Sequence, residues 1–142
     1  MKKLLYALLG LAVLGVAGFM IVKALNTSLV YFVLPNEYAK DPGSFEGRKI
    51  RLGGLVEPGS VHFDDQDLQL TFKVTDSIQE YPVDYSGAPP DLFRENTGVV
   101  VEGRFSDGVF VGDNLLIKHS ENYRPPAPGE PIDVEALKKS LQ

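Results

Sequence analysis

Leu68-Gln69-Leu70-Thr71-Phe72-Lys73-Val74-Thr75 is the stretch that decides the fold. Leu68, Leu70, Phe72 and Val74 fall on one face of an extended chain, and Gln69, Thr71 and Lys73 on the other. Side chains alternate across a strand, so a period of two marks a strand with one face on a core and the other in water. Working outward, strand-like runs recur at Lys49–Val56, Ser60–Asp64, Glu80–Tyr85, Gly98–Phe105 and Val109–Lys118. Turn-forming residues separate them: Glu57-Pro58-Gly59, Asp64-Asp65-Gln66-Asp67, Ser86-Gly87-Ala88-Pro89-Pro90 and Ser106-Asp107-Gly108. Asp107-Gly108 between two apolar runs predicts a tight hairpin. Val99-Val100-Val101 is apolar on both faces and predicts a central strand. Gly53-Gly54 inside the first run suits the sharp coiling of a barrel corner. The pattern predicts an all-β fold, a small closed antiparallel barrel of the five-stranded OB type. A small open sandwich is the alternative topology.

The N-terminus reads Met1-Lys2-Lys3 and then runs uncharged from Leu4 to Val22. As a helix this run is about 28 Å long at 1.5 Å per residue, against a hydrocarbon core of roughly 30 Å. No polar face interrupts it, which argues against a soluble helix. Lys2, Lys3 and the amino terminus outweigh Lys23, so the N-terminus is expected in the cytoplasm and the domain beyond the membrane. Gly15-Val16-Ala17 would suit a signal peptidase, but the apolar run continues past Ala17, which favours a retained anchor. The expected organisation is an anchor over residues 1–25, a β domain over 26–124 and a Pro-rich flexible tail over 125–142. In that tail Pro125, Pro126, Pro128 and Pro131 bar any strand or long helix. Residues 132–142 could make a short helix, with Asp133 as N-cap and Val134, Leu137 and Leu141 along one face. Helices this short are marginal alone, so a mobile tail is expected.

The chain of 142 residues carries 19 acidic and 14 basic side chains, two histidines and no cysteine. Acidity disfavours nucleic acid as a partner. The lack of cysteine removes disulfides, thiolate metal sites and thiol catalysis. No P-loop, dinucleotide fingerprint, nucleophile elbow or zinc-protease helix occurs. Metal-dependent catalysis is a poor reading with so few histidines and no arguable carboxylate pair. Asp64, Asp65 and Asp67 lack the full calcium-loop pattern and read as a solvated turn. His62 reads as strand surface.

The remaining histidine opens a different window, His119-Ser120-Glu121-Asn122-Tyr123, directly after an apolar run and before Arg124-Pro125-Pro126. An imidazole and a phenol four residues apart can hold a flat cofactor at its rim and its centre. The spacing alone is weak, because a histidine ending a strand needs no function and a tyrosine before prolines can simply pack.

Taken in order, several segments make the window specific. They are the Lys-Lys start with one anchor; Tyr31-Phe32 before Pro35; Arg51-Leu52-Gly53-Gly54-Leu55-Val56-Glu57-Pro58-Gly59-Ser60-Val61; Phe72-Lys73-Val74-Thr75-Asp76; Tyr85-Ser86-Gly87 with Pro90-Asp91-Leu92-Phe93; Val99-Val100-Val101-Glu102-Gly103; and Leu116-Ile117-Lys118-His119-Ser120-Glu121-Asn122-Tyr123. In this order the chain resembles the CcmE family, periplasmic haem chaperones of cytochrome c maturation, over residues 1–126. The resemblance implies an OB-type barrel outside a single inner-membrane helix, and a carrier rather than an enzyme. It implies that haem b binds covalently and transiently through a vinyl group to His119, with Tyr123 as axial ligand of the haem iron. The implied partners are the haem-delivery and haem-lyase components in the membrane and apocytochrome c. Family members often carry an acidic residue where this chain has Ser120.

The chemistry fits those roles. A neutral imidazole is a competent nucleophile toward an activated vinyl carbon, and with an ordinary pKa of about 6.5 much of it is neutral near pH 7. Tyrosine ligates haem iron in some proteins. Lys118 and Arg124 flank the window and could meet the haem propionates, or simply keep a strand end soluble. Leu115 and Ile117 share parity with His119, Leu116 and Lys118 take the other face, and the pattern leaves open which face is core. A reading from another class is an anchored OB module that binds a peptide, glycan or protein without haem.

Overall fold

The computed structural model describes residues 1–28, 30–118 and 133–142. Two units are resolved, residues 1–30 and 31–142. In the first, helix α1 (Lys2–Ser28) carries an apolar stretch, Lys2–Leu25, long enough to cross a membrane, with its side chains uncovered within the unit.

The second unit is built on seven described strands: β1 (Tyr31–Val33), β2 (Ile50–Val56), β3 (His62–Asp64), β4 (Gln69–Thr75), β5 (Glu80–Ser86), β6 (Gly98–Ser106) and β7 (Val109–Ile117). Helix α2 (Pro35–Lys40) and a 3-10 turn (Pro42–Phe45) follow β1, and helix α3 (Val134–Leu141) ends the chain. Five strands close a ring, β2–β4–β5–β7–β6 and back to β2, which is the OB barrel. β1 and β3 extend the sheet at its two ends. The antiparallel expectation holds for five pairings, while β1–β2 and β5–β7 run parallel.

Sequence chemistry explains the closure. A Cβ at Gly54 would lie 2.5 Å from Val74 Cγ1 and 2.7 Å from the Thr75 carbonyl oxygen. Only glycine lets β2 cross β4 so closely at this corner. Asp107 and Gly108 both take positive φ, 49° and 81°, in the two-residue turn between Ser106 and Val109, as expected for a primed hairpin turn. Leu70, Phe72 and Val74 point into the barrel and are buried. Leu68 departs from the expected strand face. It sits before β4 with φ 51° and is 53% exposed, because the turn that Asp64 caps through the Gln66 and Asp67 N–H groups runs up to that point.

The apolar triplet of β6 serves two cores. Val99 and Val101 join Ile50, Leu52, Phe72 and Phe110 inside the barrel. Val100 faces outward, into a second cluster with Leu34, Leu55, Leu137 and Leu141. Within the tail expected over 125–142, the possible short helix is present as α3 and is docked, with Leu137 and Leu141 0% and 2% exposed, while residues 125–132 lie outside the described residues. Burying each leucine stabilises docking by about 1.5–3 kcal/mol, which offsets what an eight-residue helix lacks alone. Asp133 caps α3 as the sequence suggested, accepting the Glu135 and Ala136 N–H groups at 3.0 and 3.1 Å.

At the hairpin end of β6 and β7, Phe105 stacks on Tyr38 with centroids 3.7 Å apart and meets Phe110 edge-on at 5.0 Å. This aromatic plug lies at the opposite end of β7 from Ile117, which pairs with Val99.

Candidate functional site

The two faces of β7 are now distinguished. Phe110 and Leu115 are both buried although their parity in sequence is opposite. The register slips at Glu102/Gly103, so that Glu102 faces Asn114 and Gly103 faces Gly112. That bulge changes the phase of the strand, and it needs a glycine: a Cβ at Gly103 would lie 2.0 Å from the Val111 carbonyl oxygen. Beyond it Leu115 points inward, Ile117 packs against the barrel core, and Leu116 faces outward at 40% exposure.

The last described residue of this segment, Lys118, donates its backbone N–H to the Gly98 carbonyl at 3.0 Å. The chain is therefore hydrogen-bonded to the barrel up to the residue that precedes His119. His119, Tyr123, Ser120 and Arg124 lie outside the described residues.

Beside that strand end is an open groove of about 290 Å³. Phe32, Val100, Leu116 and Leu141 line it together with Arg51, Lys118 and Gln142, so its surface is more polar than apolar. Arg51 is oriented by Glu102, its Nε 2.6 Å from the Glu102 carboxylate. The end of α3 reaches the same place, since a Cβ at Gly98 would lie 3.0 Å from Leu141 Cδ2 and 3.4 Å from the Lys118 carbonyl oxygen. Sequence reasoning did not assign Arg51 or Leu141 here. The available signal was the i, i+4 spacing of Leu137 and Leu141, which marks an apolar helix stripe in need of a partner surface.

Other candidates fall elsewhere. His62 is exposed on β3 opposite Thr71, and the register leads from Thr71 through Asp84 to Val111, toward the hairpin end of β7. No group of three His, Asp or Glu able to hold a metal ion occurs among the described residues. Tyr38 and Tyr81 are held protonated: burial pushes both phenols up, helped by Tyr81 and Glu46 for the first and by Asp76 for the second. Neither is suited to give a phenolate to a metal.

The family known as the CcmE domain matches residues 29–126. The chain belongs to the CcmE family. The "Cytochrome c-type biogenesis protein CcmE" of Thermus thermophilus is 50% identical over 133 residues, covering 93% of this chain and 94% of that protein. Its counterpart in Laribacter hongkongensis is 46% identical over 132 residues, covering 92% and 90%. The solution structure of the OB-fold domain of the haem chaperone CcmE from Desulfovibrio vulgaris is 27% identical with a TM-score of 0.46, covering 49% of this chain and 85% of that one.

Proposed function

We propose that this chain is a haem chaperone of c-type cytochrome biogenesis, a carrier and not an enzyme. His119 forms the transient covalent bond to haem b, and Tyr123 supplies the axial ligand of its iron. The observation that carries the reading is the anchoring of β7. The backbone is tied to the barrel through Lys118, the His119-to-Tyr123 window begins at the next residue, and a groove lined by Phe32 and Leu116 together with Arg51 and Lys118 lies beside that point. The two apolar side chains suit the porphyrin face, and the two cations suit its propionates.

The bond chemistry balances without an oxidant. The imidazole nitrogen of His119 bonds to one vinyl carbon, the imidazole loses its proton, and the other vinyl carbon gains one. Reversal frees the vinyl group for the cysteines of apocytochrome c. In this reading α1 is an inner-membrane anchor over residues 1–25, with the N-terminus cytoplasmic and the domain periplasmic. Lys2 and Lys3 ahead of the apolar run support that orientation. The domain spans 26–124. Membrane components deliver the haem and accept it onward to apocytochrome c.

The test is a haem-stained denaturing gel of His119→Ala beside the parent chain, both produced together with the maturation machinery. The parent retains haem through denaturation and the variant loses it. Equal staining of the two would remove the covalent role.

A further inference from the structure

Far from the exit of β7, the outer face of β3, β4 and β5 carries a feature that haem handling does not use. β3 stands at the end of the strand order and pairs with β4 alone among the described strands. His62, Phe63 and Asp64 are all exposed, with Phe63 at 40%. Sheet edges are commonly guarded by proline, a bulge, short length or charge; β3 has no proline or bulge, and its guards are its three-residue length and the carboxylate of Asp64, which repels an acidic strand but not a cationic one. Its outer backbone groups are open to a further strand.

Two grooves flank this edge. One, about 640 Å³, runs over β4 and β5, where Thr71, Lys73 and Asp84 line it and Pro58, Pro82 and Val109 give it its accessible apolar surface. The other, about 480 Å³, follows β3 into the next turn past Phe63, Asp65 and Asp67. His62 and Thr71 line both, so the two adjoin.

The charge of this surface is one-sided. Glu57 and Asp84 line the first groove, and Asp64, Asp65 and Asp67 the second. Among the described residues Lys73 is the one lysine or arginine lining either groove, and its ammonium is held by Glu80 at 2.7 Å. Phosphate backbones are repelled by such a surface, although strands at this position of an OB barrel are a common site for oligonucleotides.

We infer that the β3 edge and its two grooves form a docking surface for an extended polypeptide segment rich in lysine or arginine. The segment adds as a strand along β3, through backbone hydrogen bonds. Alternate side chains of the added strand point to opposite faces, so its cations reach the carboxylates while smaller apolar residues lie over Phe63, Pro58, Pro82 and Val109. The register puts this surface beside the Val111 half of β7, roughly 20 Å along the strand from Lys118 at 3.3 Å per residue. A bound segment therefore leaves the exit of β7 open. The inference does not depend on the haem reading.

The test uses the full chain in phosphatidylcholine nanodiscs, with empty nanodiscs subtracted, and a dye-labelled twelve-residue peptide of alternating Lys and Val read by fluorescence anisotropy. The expected result is saturable binding that weakens with added salt. A Glu-Val peptide, and Lys-Val peptides N-methylated on either set of alternate residues, bind at least about tenfold more weakly, equivalent to about 1.4 kcal/mol. The double substitution Asp65→Lys with Asp67→Lys, both exposed turn positions, weakens binding of the Lys-Val peptide by a similar factor. The inference is overturned by any of four results: no saturable binding, binding that survives N-methylation, indifference to the charge reversal, or equal binding of oligothymidylate.

Discussion

The Asp76 carboxylate accepts the backbone N–H of Asn36 at 2.8 Å, across 40 residues of sequence. Its other oxygen accepts the Ile78 and Gln79 N–H groups at 3.0 and 2.9 Å. The residue is fully buried, so one side chain ties the start of α2 to the β4–β5 turn. Asp76→Ala leaves three donors without their acceptor, but Ile78 and Gln79 are exposed, so water can replace the carboxylate at two of them and the cost is about 1–3 kcal/mol. Urea unfolding of residues 31–142 should show a loss of about 1–3 kcal/mol, with Asp76→Asn losing less. A loss no larger than that of an exposed substitution would show that the pin contributes nothing.

Gly54 offers a test of the barrel corner. Gly54→Ala drives a methyl into Val74 and the Thr75 carbonyl, an overpacking that typically costs about 1–3 kcal/mol. Gly43→Ala is the control, because its Cβ would meet only Asp41 Oδ1, at 3.9 Å. Equal thermal stability of the two variants would contradict the close approach of β2 and β4.

Docking of α3 should respond to acid. Burial acts to raise the Glu37 pKa, but it is outweighed by the hydrogen bond from Lys138, by the Leu34 N–H and by the charges of Lys138 and Lys40, so the carboxyl lies below its ordinary value of 4.5. A depressed carboxylate pKa contributes stability that is fully present above the unfolded value and lost as pH falls through the folded one. Below about pH 4.5 the tie between Glu37 and Lys138 should fade, although a pair this exposed contributes less than about 1 kcal/mol. Hydrogen exchange at Leu137 and Leu141 should quicken from pH 5 to pH 3 beyond the intrinsic change, and Glu37→Gln should abolish that extra dependence. An identical pH response in the variant would assign it to another group.

The axial role of Tyr123 has its own signature. Tyr123→Phe removes the ligating oxygen and leaves His119 in place, so covalent haem should persist on a denaturing gel while the ferric absorption spectrum shifts. A ferric spectrum that matches the parent would exclude tyrosinate ligation.

Much of the barrel was legible because Leu70, Phe72 and Val74 alternate without interruption and Asp107-Gly108 has one strong structural meaning. Val99 to Val101 announced burial on both faces, yet what covers Val100 was hidden. α3 was readable as a short helix from Asp133 and its Leu137–Leu141 stripe, but it is too short to hold by propensity, so only the structure shows that it docks. The inward face of β7 was undecidable by parity because the bulge at Glu102/Gly103 puts Phe110 and Leu115 on the same side. β1 escaped notice because a three-residue strand pairing parallel to β2 has no period to read. The candidate site was legible as a short motif in the context of the whole chain, and the structure adds the groove of Phe32, Arg51 and Leu116 next to where that motif begins.

The most direct measurement is peptide mapping by mass spectrometry of the haem-loaded full chain after proteolysis. The chain has two histidines, so an adduct at imidazole has two addresses. The account predicts haem on the peptide that contains His119 and an unmodified peptide at His62. An adduct at His62, or a chain loaded with haem yet carrying no adduct at His119, would contradict it.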